Sequence, residues 1–348
     1  MSKTSIQWTD VVWNPTRGCS RVSEGCRNCY AERVAVRFSG PGQPYEGLAR
    51  RKLTIVNNEE RDPGNRVEAR WTGEVRTVPE HLADPLRWKK PRRIFVNSMS
   101  DLFHEKLTNE QIAAVFGVMA AAPQHTFQVL TKRATRMREW FRWASEEATP
   151  IDWQRAHVCW GLAKRELAAT GMPIESSVWN SDFMSRLSPC WPLPNVWIGV
   201  SVENQEAADE RIPELLRTPA AVRFLSCEPL IGPVNIEWYL ARQCSNQHGD
   251  PLPSANLGWV IAGCESGPGA RECKVEWLRA LRDQCEQAGV PFFLKQAVPA
   301  PGSLAWDAPK PAPIVPSFGS KWKPGAVIEL PYLDGKQWAQ FPEGVSRA

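Results

Sequence analysis

The stretch Asn195–Leu216, NVWIGVSVENQEAADERIPELL, decides the fold. Val196–Val200 (VWIGV) is an unbroken apolar run with no polar alternation, as expected of a strand buried on both faces. Ser201, Val202, Glu203 and Asn204 follow as a mostly polar cluster, and a helix-spaced segment then runs to about Leu216. Strand, polar cluster and helix in that order is the repeating unit of a parallel α/β protein. The same order recurs on both sides of it. Arg93–Asn97 (RIFVN) leads through SMSDLFHEKL to a helix over Asn109–Ala121. Thr126–Leu130 (TFQVL) ends in Thr131, Lys132 and Arg133, before a basic helix to about Ala144. Val222–Leu225 ends in Ser226–Cys227–Glu228–Pro229, and Trp259–Ala262 ends in Gly263–Cys264–Glu265–Ser266. A helix over Val275–Ala288 follows, then Pro291–Leu294 ending in Lys295–Gln296. Nearer the start, Asp10–Pro15 reads as a first strand and Tyr30–Phe38 as a helix, with a cysteine loop between them.

Every polar cluster sits at the C-terminal end of its strand, which is where a βα barrel builds its active site. The expected fold is α/β, a partial parallel βα barrel of the TIM-barrel-related kind. An open doubly wound sheet is the competing architecture, and it too places its ligand at strand C-termini. With 348 residues, the chain exceeds the roughly 250 that a single barrel domain uses. The expected organisation is a barrel over residues 1–300, interrupted at about 40–91 and 149–195. A Pro-rich extension over 301–348 then wraps it as an irregular tail. Within 40–91, Leu53–Val56 and Trp71–Arg76 read as short strands, with a short helix after Thr77–Val78–Pro79.

The net charge of +4 is too mild for a protein that coats DNA, yet compatible with a polyanionic partner. The basic runs Arg50–Lys52, Arg87–Arg93 and Lys132–Arg142 carry Trp88, Trp140 and Trp143 among them or nearby. Base with aromatic suits a nucleic-acid groove, and it equally suits a solvated helix face with tucked rings. The N-terminal residues show no apolar leader and no run is long enough to span a membrane, so the expected location is cytoplasmic. There, Cys clusters bind metal or do redox chemistry more often than they form disulfides.

The segment WNPTRGCSRVSEGCRNCYAER (Trp13–Arg33) places Cys19, Cys26 and Cys29 on one loop between a strand and a helix. Three soft thiolates can converge on one corner of a four-iron cluster and leave one iron open. A structural zinc site closes with four ligands, so a zinc reading needs one more, and Cys227 or Cys264 are its candidates. Cys159, Cys190, Cys244, Cys273 and Cys285 read as ordinary thiols.

The combination of NPxRGC, a Cys-x-x-Cys-Tyr-Ala end and a following helix resembles radical-S-adenosylmethionine enzymes, especially the spore-photoproduct-lyase-like branch. Their usual spacing is three residues and then two, whereas here it is six and then two. FVNSMSDLFHE, LTKRATRM, VWIGVSVEN, FLSCEPLIGPV, AGCESGPGAR and LDGKQWAQFP resemble the phage-related three-Cys-motif family, also called the phage gene product 37/68 family, which has no assigned reaction. The radical-enzyme resemblance implies a [4Fe–4S] cluster, S-adenosyl-L-methionine as cofactor, and an electron donor such as flavodoxin or ferredoxin. It implies cofactor contacts from Asp101, His104, Ser201, Glu203 and Asn204, and an unidentified substrate for which nucleic acid is the analogous class. Asp101 and Asn204 can instead cap the turns they begin.

The strand-end carboxylates Glu228 and Glu265, with Gly263 and Ser266, complete the expected cofactor layer. Buried carboxylates need partners, and Lys132, Arg133, Arg271 and Lys295 are the cations at hand. Lys132 and Arg133 either pair with Glu228 or Glu265 or receive an anionic substrate. The alternative function is a zinc-binding, non-enzymatic protein that binds nucleic acid or a partner protein.

Overall fold

The computed structural model describes residues 4, 6–54, 66–147, 158–159, 161–163, 165, 191–240, 256–267, 269–297, 328–329 and 332–342. The expected insertion at 149–195 and the extension at 301–348 lie mostly outside the described residues, as do Cys190 and Cys244. The chain divides into two compact units.

One unit comprises Val11–Val129 and Glu139–Asn195. Its parallel strands are β1 (Val11–Trp13), β6 (Arg93–Val96) and β7 (Thr126–Thr131), with β6 hydrogen-bonded to both others. β6 is buried at every residue, as its unbroken apolar run requires. It stops where Asn97 turns to φ +61°, a left-handed conformation that Asn tolerates better than most residues. α1 (Tyr30–Arg37) and α3 (Asn109–Ala120) follow β1 and β6. Thr108 and Gln111 form a reciprocal capping box at the start of α3, satisfying two otherwise orphaned N–H groups.

Between α1 and β6, the expected short strands are displaced. Antiparallel β3 (Ala49–Thr54) and β4 (Arg66–Trp71) form a two-stranded ribbon, and β2 (Thr16–Arg17) pairs with β5 (Arg76–Thr77). The sequence ARRKLT has almost no apolar alternation. What holds it as a strand is α1, whose Ala31 and Ala35 pack with Ala49 and Trp71 at the base of the ribbon. α2 (Pro79–Leu82) begins with Pro at its first position, as expected after Thr77–Val78–Pro79.

α4 (Ala134–Glu147) carries the second half of the Lys132–Arg142 basic run. Its Trp140 is fully buried, stacked on Phe116 at 4.3 Å, and donates its indole N–H to Asn109 O. Trp140 is therefore a core residue and not part of a stacking groove.

The other unit comprises Met1–Asp10, Leu130–Arg138 and Val196–Ala348. β8 (Val196–Ser201), β9 (Val222–Cys227), β10 (Leu257–Gly263) and β11 (Phe292–Ala297) pair in that order, all parallel. β12 (Ile328–Glu329) adds antiparallel to β11. α5 (Gln205–Leu216), α6 (Glu237–Leu240) and α7 (Val275–Ala288) accompany them, with α7 ended by Gly289 at φ +66°. β8 is buried at all six residues. Its Gly199 is obligatory, because a Cβ there would stand 2.6 Å from the Phe224 ring. Trp259 on β10 is the centre of the core, ringed by Trp8, Trp197, Phe224, Phe293 and Phe341. Its indole N–H donates to Gln340 O.

β13 (Tyr332–Leu333) and β14 (Lys336–Gln337) form a hairpin through Asp334 and Gly335, both at positive φ, the conformation that an Asp-Gly turn favours. Asp334 accepts from Arg279 at 2.7 Å and from Arg282, both on α7. The Arg279 guanidinium, with Arg282, lowers the Asp334 carboxyl from 3.8 to about 2. A depressed carboxyl stabilises the fold above its unfolded value and ceases to do so as pH falls through its folded value. The thermal midpoints of the unaltered protein and Asp334→Asn should therefore differ by a small constant amount above about pH 4. That difference should close as pH approaches about 2. The pair is partly exposed, so its contribution is modest.

No helix among the described residues is long and apolar enough to cross a membrane.

Candidate functional site

The loop after β1 is tied to the loop after β6. Asn14 Oδ1 accepts from Ser98 Oγ at 3.2 Å and from Met99 N at 3.0 Å. Thr16 Oγ1 lies 2.9 Å from Ser100 Oγ and receives Asn97 Nδ2 at 3.0 Å. Gly18 has φ +93°, and a Cβ there would meet Glu74 O at 2.1 Å. Asn14 and Gly18 thus account for two letters of the NPxRGC motif as positioning residues for the thiol that follows, and Thr16, at its variable position, helps them.

Cys19 lies just after β2, its Sγ 3.4 Å from Ser20 O. Cys26 ends the short 3-10 turn Glu24–Cys26, and Cys29 is the N-cap residue of α1, with its N–H donating to Cys26 O at 3.3 Å. All three are partly exposed, whereas Cys159, Cys227, Cys264, Cys273 and Cys285 are buried. Burial pushes the Cys29 thiol up as well, and the thiols of Cys273 and Cys285 up to about 12. Arg21 clamps the loop to α1 by a double hydrogen bond to the buried Glu32, at 2.9 and 3.1 Å from its Nε. Glu32 also accepts Trp71 N from β4.

Asp101 and His104 belong to the same unit. Asp101 Oδ1 accepts from Phe103 N at 3.0 Å, so the capping alternative for this residue is realised. His104 is fully buried. Its Nδ1 accepts from Lys106 N at 3.2 Å, so Nε2 carries the proton and donates to Ser20 Oγ at 3.0 Å. Ser20 in turn donates to Glu105 Oε1 at 3.2 Å. This directed line passes through Ser20, the residue next to Cys19, and ends on Glu105. Among the described residues no donor reaches the buried Asn97 Oδ1, an acceptor left for a ligand or water.

The second unit holds three ion-paired carboxylates at its strand ends. Glu203, 1% exposed, receives Arg211 Nη1 at 2.8 Å, and Lys132 Nζ stands 3.5 Å away. Arg211 also donates to Ser201 O at 2.9 Å. Glu228 meets Lys295 at 2.8 Å and accepts from Ser226 Oγ at 3.2 Å. Glu265 takes the backbone N, Nε and Nη2 of Arg271 at 2.9, 3.0 and 2.7 Å. Gly263 makes room for this layer, since a Cβ there would stand 2.9 Å from Glu228 Oε1. Ser266, beside Glu265, is partly exposed.

Lys132 thus pairs with Glu203, while Lys295 meets Glu228 and Arg271 meets Glu265. Arg133 donates its backbone N–H to Thr131 Oγ1 at 2.9 Å, closing the turn into α4. Asn204 is the N-cap of α5, accepting from Ala207 N at 2.9 Å. The residue that sequence reading overlooked is Arg211. Its signal was present: Ala207, Ala208, Arg211, Ile212 and Leu215 form the buried stripe of α5, and a charge within an apolar stripe needs a buried partner.

Among the described residues, no three His, Cys, Asp or Glu side chains are already gathered as a metal-holding group.

These features define a mixed α/β protein of parallel strands and helices, with a thiol loop after its first strand and ion-paired carboxylates at later strand ends. More particularly, the chain belongs to the family described as Protein of unknown function (DUF5131), whose model matches residues 3–342. No curated protein and no solved structure matches it.

Proposed function

We propose that this chain is an S-adenosylmethionine-dependent radical enzyme whose [4Fe–4S] cluster is held by Cys19, Cys26 and Cys29. One observation carries the reading. Among the described cysteines, these three alone are not buried, and all three lie on one loop between β1 and α1. The donor set fits the group: soft thiols, accessible, three in number, with Cys26 and Cys29 one turn apart. Ligation draws the three sulfurs together from their separate places on the loop. When bound, the cluster supplies one electron to the sulfonium of the cofactor, and the hard chemistry belongs to that pair.

The chain's own residues hold and orient. Arg21 and Glu32 anchor the loop on α1, and the His104–Ser20–Glu105 line fixes the backbone beside Cys19. Lys132, Arg271 and Lys295 keep 16%, 21% and 22% of their side-chain surface exposed while paired, so they can still meet an anionic group. The reading takes the chain as a partial parallel βα barrel, cytoplasmic, served by an electron donor of the flavodoxin or ferredoxin kind. The resemblance to phage-related three-Cys-motif proteins belongs to the same reading.

The test is anaerobic purification with iron and sulfide reconstitution. The expected protein is brown, absorbs near about 400 nm, carries about four irons, and forms 5′-deoxyadenosine with dithionite and S-adenosylmethionine. A colourless protein with stoichiometric zinc overturns the proposal.

A further inference from the structure

The β3–β4 ribbon has two different faces. Cross-strand partners share a face, so Ala49 and Trp71, Arg51 and Ala69, and Leu53 and Val67 lie on one. Arg50 with Arg70 and Lys52 with Glu68 lie on the other. The base of the first face is seated on α1 through Ala49 and Trp71. Its far end is uncovered, with Leu53 48% and Val67 64% exposed. On the second face the one acid, Glu68, is engaged by Arg70 at 2.7 Å, which leaves Arg50 and Lys52 to set the sign of the exposed surface.

α1 covers the base of the first face, so its own outward stripe and the Arg50–Lys52 face lie on opposite sides of the module. Its inward residues are Ala31, Glu32 and Ala35. Tyr30, Arg33 and Arg37, spaced three and four apart, form the opposite stripe, and Phe38 follows. Tyr30 and Phe38 are 47% and 48% exposed, and the Tyr30 hydroxyl is pinned by donating to Ser98 O at 2.7 Å. The module is rigidly tied, because Arg21 and Glu32 join the Cys loop, α1 and the backbone of β4 at Trp71. Exposed cations on one face of an anchored ribbon match the phosphates of a nucleic acid. A two-stranded ribbon is also of a size to enter the major groove of a duplex.

We propose that the Arg50–Lys52 face of the β3–β4 ribbon is a nucleic-acid-binding surface that grips the phosphate backbone. This deepens the functional reading by naming a substrate class, but the surface does not need the cluster.

The test uses the full chain and a fluorescein-labelled DNA duplex or its single strand, with anisotropy followed across a salt series. Arg50→Glu with Lys52→Glu should weaken binding about tenfold or more and flatten the salt slope by about two units. Arg37→Glu, on the opposite side of the module, should cost under about threefold. Lys89→Glu with Lys90→Glu makes the same charge change at exposed residues outside the module and should cost under about threefold. Tighter binding of the duplex identifies groove entry, and tighter binding of the single strand identifies grip on a single backbone; both support the surface. Binding of neither probe overturns it, as does an unchanged ribbon variant or an equal loss in the Lys89, Lys90 variant. A colourless protein that still binds DNA through Arg50 and Lys52 sinks the radical reading and leaves this surface standing. An active brown protein indifferent to both probes does the reverse.

Discussion

Alanine at any one of Cys19, Cys26 or Cys29 is expected to drop iron from about four per chain to below about one and to abolish 5′-deoxyadenosine formation. The loss should be all-or-none, because a cubane with three protein ligands has no spare donor. Fold stability should change by less than about 1 kcal/mol, since these side chains are partly exposed and surface changes are mild. Cys227→Ala and Cys264→Ala are the decisive controls. Both residues are buried in the other unit, whereas the three loop cysteines are partly exposed. Both variants should keep full iron. Iron lost in a Cys227 or Cys264 variant, or zinc in its place, would falsify the three-thiol assignment. The measurement is iron and zinc by mass spectrometry on anaerobically reconstituted variants.

The second large effect is on stability. Arg211→Ala should destabilise the fold by about 3–5 kcal/mol, because it strands a buried carboxylate without its main cation. Glu203 loses its 2.8 Å contact and keeps Lys132 at 3.5 Å, and Ser201 O loses a donor. Replacing both partners, Arg211→Met with Glu203→Gln, should recover most of the loss, to within about 1–2 kcal/mol of the unaltered protein. Urea unfolding followed by tryptophan fluorescence reads both. A cost below about 1 kcal/mol for Arg211→Ala would mean that the pair is hydrated and that its burial contributes little. Retaining this pair at a strand end, where apolar residues of similar volume could be equally stable, is consistent with a functional layer around Glu203.

Much of the secondary structure was legible. Helix α7 matches its expected limits of Val275–Ala288, and α3 and the parallel strands match within a few residues. Strands β1 and β6 stop at Trp13 and Val96, before their expected limits, whereas the later strands were read short at their C-terminal ends, since β9 continues to Cys227 and β11 to Ala297. There the chain keeps its ladder while its side chains turn polar, and apolar content alone misses that continuation. The β3–β4 ribbon was misplaced because its pairing is stabilised by α1 and not by a pattern of its own.

What the sequence determined by itself is local or short-range: parallel strands from unbroken apolar runs, helix starts from Thr108 and Asn204, and three thiols on one loop. These follow from periodicity and spacing, which act between near neighbours in the chain. Only the tertiary structure decided that Lys132 answers Glu203 across 71 residues, that Trp140 is core, and that Gly263 clears space for Glu228. Each depends on which strand end is brought beside which. Several cations compete for each carboxylate, and a few ångströms of packing, which no local pattern encodes, choose among them.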